Sequence, residues 1–395
     1  MIFQHCDLLK CMSKTIKKWA YLSLVNLLIV SILGVILRYK GAFSLPVLDY
    51  KYLLHAHSHF AFSGWVTTIL FTCFVYLIPY RKTYAYQFWL NQVASFGMLV
   101  SFTIQGYGPV SIAFSALSVV FSFWFAIAYL NDIADISFPP LVKSCLRLAI
   151  AFLLISSVGP FMLAFGKGDM VYYNNAIYFY LHFQYNGWFT FAVMALFFWA
   201  APRFHIYLAP NFSKVFVILM AIACIPAYCL SMLWSHPAGW IYTIAGAAGL
   251  IQLAALVFLI LAVPVIKHLH PLWVLASLAF IIKIVLQVLT LVTALGRFAY
   301  GFRPVVIGYL HLVVVGFVSF LILGFLILNK LVKGNKVGLV IFITGVIANE
   351  VIMMTQCVMA YFWGSGTPTV VYWLFGAGVV MMTGIGVMVA KGRSY

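Results

Sequence analysis

Three segments carry the residues best suited to chemistry: His59-Phe-Ala-Phe-Ser-Gly64-Trp65-Val-Thr67, His182-Phe-Gln-Tyr-Asn-Gly187-Trp188-Phe-Thr190 and His311-Leu-Val-Val-Val-Gly316-Phe317-Val-Ser319. In each, a histidine is followed by a glycine, an aromatic and a hydroxyl at fixed places, and the copies lie 123 and 129 residues apart. Neutral imidazole is the common protein ligand of haem iron and of copper. Histidine is also expensive inside a bilayer and is kept there with a partner. A nearby glycine removes bulk, which lets a flat macrocycle or a neighbouring helix approach. Any single copy is equally served by an interhelical hydrogen bond; three matched copies point to cofactor ligation by at least two of them.

The surrounding chain dictates where these rings stand. Of 395 residues, 65% are hydrophobic and 7% charged. No soluble core of this size needs so much apolar surface, so the expectation is an all-α polytopic membrane protein. Apolar runs at 17–37, 53–79, 85–107, 110–131, 140–166, 171–201, 212–234, 237–263, 271–296, 303–329, 336–361 and 367–391 predict twelve transmembrane helices. They far exceed the length of a membrane strand, which excludes a barrel. The repeat period corresponds to four helices with their loops. After a cytoplasmic segment 1–16, the chain therefore resolves into three four-helix units, at approximately 17–135, 136–265 and 266–395, within a single membrane domain.

The motif falls on the second helix of each unit, helices two, six and ten, which run in the same direction. At about 1.5 Å per residue the three imidazoles lie at similar depth, in the half of the membrane where these helices begin. His236, at the end of helix seven, is expected on the same side. In His55-Ala-His57-Ser-His59, residues four apart share a helix face and residues two apart do not. His55 and His59 therefore face one site, and His57 looks elsewhere.

The net charge of +17 comes from basic residues scattered singly at span ends, which excludes a nucleic-acid surface. With the N-terminus in the cytoplasm, sixteen of them fall on that side, from Lys10, Lys14, Lys17 and Lys18 to Lys267, Lys391 and Arg393. Six fall on the other (Arg38, Lys40, Lys51, Lys167, Arg297 and Arg303), and Lys283 lies inside a span. That asymmetry predicts cytoplasmic termini and an even helix count; the expected location is the inner membrane of a bacterial cell. Seven cysteines without metal-ligand spacing read as free thiols, and no Cys-x-x-Cys-His attaches haem covalently. The first hydrophobic run reads as a retained helix, with Met12 a more natural start than Met1.

Twelve spans, a pseudo-threefold arrangement and histidines on helices two, six and ten resemble subunit I of the haem–copper oxidase superfamily, which includes cytochrome c and quinol oxidases and nitric oxide reductases. The likeness covers nearly the whole chain in helix count and rests on short motifs. It implies a low-spin b-type haem held between two histidines, by position His59, with His55 its rival, and His311. It also places His182 at the family's copper ligand on helix six. Three departures accompany it. Tyr309-Leu-His311 has tyrosine where the family has the first histidine of His-x-His, the ligand of a high-spin haem. Helix seven, Val215 to Trp234, lacks the family's adjacent histidine pair, and Asn186 stands where the family has a tyrosine, with Tyr185 beside it. What is implied is a haem protein of respiratory electron transfer, or of oxygen or nitric oxide chemistry, with an incomplete copper and high-spin haem site. Shorter twelve-helix haem- and copper-containing proteins linked to nitric oxide resistance also resemble the chain, in length and in the His-Ala-His opening of helix two.

Other groups join the candidate site. Glu350, the sole glutamate, lies in helix eleven and Lys283 in helix nine at comparable depth, which leaves three readings: an ion pair for packing, part of a proton path, or no contact. Arg297 and Arg303 flank the loop leading to His311; haem propionates call for such cations, and helix-end anchoring is the alternative. No soluble copper or cytochrome domain is fused to the chain, so electrons would come from quinol or from a separate cytochrome or copper protein. Lipids and partner membrane subunits complete the expected partners. Two further readings are a haem-ligating sensor or assembly subunit without turnover, and a twelve-helix secondary transporter, in which internal repeats are also common.

Overall fold

The computed structural model describes residues 2–166, 168–263, 269–364 and 369–392, with side chains from residue 14 onward, Ala164 excepted. Lys167, Lys267, His268 and Arg393, and the side chains of His5 and Lys10, lie outside the described residues. In chain order the long helices are α1 (Ile2–Ala42), α2 (Tyr50–Tyr76), α3 (Lys82–Gln105), α4 (Pro109–Ala134), α5 (Pro140–Leu163), α6 (Met170–Phe204), α7 (Pro210–Ser235), α8 (Gly239–Ala262), α9 (Pro271–Leu289), α10 (Arg303–Leu328), α11 (Lys336–Trp363) and α12 (Val370–Lys391). A short helix, Thr293–Gly301, precedes α10. No strand occurs among the described residues. The chain is an all-α polytopic membrane protein.

Eleven of these helices are long and apolar enough to cross a membrane. The exception, α3, has the length of a span, 24 residues, but buries Gln87, Asn91, Gln92 and Ser95 along one face. An amide turned to lipid would cost several kcal/mol, roughly 2–7, so this face points inward. Asn91 Nδ2 donates to Thr68 Oγ1 at 2.8 Å, Ser95 and Ser63 share a hydrogen bond, and Gln92 Oε1 accepts from Asn26 Nδ2 at 3.0 Å. Tyr86, Val93 and Val100 are exposed on the opposite side, the inside-out amphipathicity that a bilayer selects.

The helix starts have local causes. Asp49 and Asp169 cap two of the motif helices, accepting from the backbone N–H of Tyr52 and of Val171 and Tyr172. Proline opens α4, α5, α7 and α9, where its missing N–H is no loss. Pro226 interrupts α7, so that regular α-helix runs only over Pro210–Cys224 and Tyr228–Met232.

The described helices form two compact units: one of residues 1–134 and 326–395, the other of 135–325. In the first, α1 packs on α2 and α12, α3 packs on α2 and α4, and α11 packs on α12. In the second, α5 packs on α6, α7 on α8, and α9 on α8 and α10. The first repeat falls in the first unit, and the third is divided between the two at Phe325 and Leu326. Helix boundaries also relocate some charges. Because α1 runs on to Ala42, Arg38 is a helical residue, not part of a loop. Because α9 ends at Leu289, Arg297 belongs to the short helix that follows.

Candidate functional site

Each motif helix changes geometry beside its histidine. The α-helix gives way to π-helix over Ala61–Thr67, Phe183–Phe189 and Leu312–Ser319. Such wide turns are rare and concentrate at functional sites. An extra residue in a turn frees carbonyls from their usual donors, and here a hydroxyl five residues on fills one: Thr68 Oγ1 to Ser63 O at 2.8 Å, Thr190 Oγ1 to Tyr185 O at 2.6 Å and Ser319 Oγ to Val314 O at 2.8 Å. In the first copy Asn26 also reaches across to the Gly64 carbonyl at 2.6 Å.

These bonds correct the register of the repeat. His182 and His311 stand immediately before their π-turns, whereas Phe60 holds that place in the first copy and His59 precedes it. The hydroxyl expected at Thr67 is supplied by Thr68. One residue is about 100° of helix rotation, so His59 meets its surroundings on a different face. The glycines serve neighbours of different kinds. A Cβ on Gly187 would lie 2.5 Å from Phe152 Cβ, on Gly316 3.3 Å from Ala279 Cβ, and on Gly64 2.7 Å from the Phe60 ring.

In the first unit His59 stacks on Phe102, with ring centroids 4.3 Å apart and planes 13° from parallel. Its Nε2 lies 2.9 Å from the Tyr107 hydroxyl, and His55 meets the same tyrosine ring edge-on at 4.6 Å. His57 turns the other way, its Nδ1 3.1 Å from the Val30 carbonyl on α1. Farther along, the Glu350 carboxylate accepts from Asn349 Nδ2 at 2.9 Å, while Arg38 donates to Asn349 Oδ1 and to the Leu374 carbonyl. Arg38 and Asn349 were not singled out as site residues from sequence; the mark that could have found Asn349 is an amide adjacent to the sole glutamate.

The second unit holds the other two histidines in contrasting states. His311 Nδ1 donates to the Ile307 carbonyl at 2.8 Å, which leaves the lone pair of the neutral ring on Nε2. His182 is fully buried; its Nε2 donates to the Cys224 carbonyl at 2.8 Å and its Nδ1 accepts from Asn186 Nδ2 at 3.0 Å. Tyr309 donates to Gln287 Oε1 at 3.0 Å, and Gln287 in turn reaches Gln252. Lys283 is fully buried, 5.3 Å from the Phe280 ring centroid, and its Nζ has no hydrogen-bond partner among the described residues. Arg297 and His236 line one cavity of about 250 Å³ with Leu233, Trp234, Tyr300 and Gly301. Arg303 opens α10, exposed, eight residues ahead of His311.

An axial haem ligand wants one ring nitrogen held by a hydrogen-bond acceptor and the other presenting its lone pair. His311 has the first half of that arrangement, Nδ1 held by the Ile307 carbonyl, and His59 shares Nε2 with a phenol. These donor sets fit haem iron. His182 does not fit copper, because the Asn186 amide occupies the one lone pair its Nε2–H tautomer leaves, on Nδ1, and no group of three or more His, Cys, Asp or Glu side chains able to hold a metal occurs among the described residues. The chain is similar in fold to a haem–copper terminal oxidase solved as a dimer by cryo-EM, with a TM-score of 0.66 and 14% identity over 95% of this chain and 83% of that one. No family model matches the sequence. No curated protein matches it either.

Proposed function

We propose that the chain is a haem-binding electron-transfer protein of the membrane, in which His311 and His59, with His55 as the rival to His59, would hold a low-spin b-type haem. The observation that carries this reading is the hydrogen bond from His311 Nδ1 to the Ile307 carbonyl, the second contact that a ligating imidazole needs to fix its tautomer and raise its basicity. Bound haem supplies one-electron chemistry. The chain's own residues orient the rings: Ile307 holds the His311 proton, Phe102 sets the plane of His59, and Tyr107 shares its Nε2. Arg297 and Arg303 are the cations assigned to propionates, with quinol or a separate cytochrome or copper protein as donor and further membrane subunits as partners. The excess of lysine and arginine on one side of the spans supports a topology with both termini in the cytoplasm.

The engaged nitrogens of His182 favour electron transfer, sensing or assembly over oxygen or nitric oxide reduction at a copper centre. A proton path through Glu350 and Lys283 belongs to the same reading; Glu350→Gln with intact proton-coupled activity would remove it. The deciding experiment is the reduced-minus-oxidised spectrum of the purified full chain. A low-spin b-type signal is expected in the wild type and lost in His311→Ala with helicity unchanged. Well-folded protein without haem would overturn the proposal and return the transporter reading.

A further inference from the structure

Proline at 226 sets up the centre around His182. Regular α-helix in α7 ends at Cys224, and the Tyr228 N–H, which a continuous helix would direct to the Cys224 carbonyl, bonds to Ile225 O instead. Pro226 lacks the N–H that would serve Ile222, and the helix opens into a turn over 225–227. The Cys224 carbonyl is thus released from the ladder inside a buried region, where an unmet acceptor is costly. His182 Nε2 donates to it at 2.8 Å. A carbonyl can only accept, so the proton sits on Nε2 and Nδ1 carries the lone pair of the neutral ring. Asn186, four residues on in the adjoining π-turn, occupies that lone pair with its amide N–H at 3.0 Å. Lys283 lies within electrostatic reach of both His182 and Cys224, and neither its Nζ nor Asn186 Oδ1 has a hydrogen-bond partner among the described residues. Lysine brings no anionic charge to offset a metal ion.

We propose that His182 is a metal-free hydrogen-bonding strut: it binds no copper, and joins the π-turn of α6 to the proline break of α7 through a fixed Nε2–H tautomer. This goes beyond the haem reading and does not depend on it. The test is made on the full chain in detergent. Copper and haem are quantified separately after expression with added copper and after titration with Cu(I), in the wild type, His182→Ala and His182→Gln. Glutamine keeps an amide N–H able to reach the Cys224 carbonyl and removes the imidazole. The strut predicts copper below about a tenth of an atom per chain in all three, haem content equal in all three, and a lower unfolding temperature for His182→Ala than for His182→Gln. One copper per chain in the wild type, lost in His182→Gln, would overturn it. So would equal destabilisation by glutamine and alanine. Loss of haem from the wild type would count against the electron-transfer reading alone.

Discussion

His182 and His311 both stand immediately ahead of a π-turn, both have a glycine five residues on, and both π-turns are closed by a hydroxyl at the same place. The rings are nevertheless committed in opposite ways. His182 is fully buried and spends both nitrogens on protein groups, one of them a carbonyl released by a break in the next helix. His311 is half-buried and donates from Nδ1 to a carbonyl of its own helix, the contact that fixes its tautomer. The shared pattern therefore specifies a local backbone device, and what the histidine does is decided by the facing helix. On α7 a proline break offers an orphan acceptor. On α9, Ala279 packs against Gly316, and Gln287 takes the Tyr309 hydroxyl, two residues before His311.

The largest effect that would break this comparison is spectroscopic. His311→Ala should lower haem content at least about tenfold, as expected when a ligand and its supporting contact are removed together, whereas His182→Ala should leave it unchanged; equal losses would erase the distinction. Next in size is Thr68→Val, in the first copy. Its hydroxyl donates to Ser63 O and accepts from Asn91, and Asn91 Oδ1 already lacks a hydrogen-bond partner among the described residues. Orphaning the amide as well should cost about 2–3 kcal/mol in thermal unfolding. Gly187→Ala follows at about 1–3 kcal/mol, since its Cβ would press on Phe152, while Gly316→Ala should cost under about 1 kcal/mol because the contact with Ala279 is a few tenths of an ångström too close. A reversed order would mean that the two π-turns are packed alike.

The twelve helices were legible because a bilayer demands long continuous segments, and apolar runs of that length have no other use. Even α3, whose inward face of Gln87, Asn91, Gln92 and Ser95 keeps it below the apolarity of its neighbours, was visible from its length. The histidine repeat was legible too, as were the free thiols of Cys73, Cys145, Cys224, Cys229 and Cys357. The π-turns were not. A π-turn shows itself in sequence as a slip in hydrophobic periodicity, and these segments are buried on nearly every side, so no periodicity exists to slip. The same uniformity hid the choice between Thr67 and Thr68, two adjacent hydroxyls of which only geometry picks the one that reaches back five residues. Pro226 was in plain view as a helix breaker; its consequence for His182 was not, because the released carbonyl becomes a ligand only where another helix brings a donor to it. Arg38 illustrates the converse. Charge counting assigned it to a membrane face and said nothing of its partners, and its guanidinium finds acceptors at Asn349 and the Leu374 carbonyl.

The finest test separates the two hydroxyls that close the π-turns. Ser319→Ala and Thr190→Ala each remove a buried donor from a carbonyl five residues back, so each should cost about 1 kcal/mol of stability. If the π-turn exists to aim the preceding histidine, the cost should spread differently. In Ser319→Ala the Val314 carbonyl loses its donor three residues after His311, and the ring should gain freedom to tilt; the expected readout is a broadened haem band or a shifted midpoint potential at nearly wild-type haem content. In Thr190→Ala the His182 ring is held from both sides by Asn186 and Cys224, so the spectrum should stay as in the wild type. Identical spectra for both variants would show that the hydroxyls close the turns for packing alone, and that His311 is oriented by Ile307 without help from the π-turn below it.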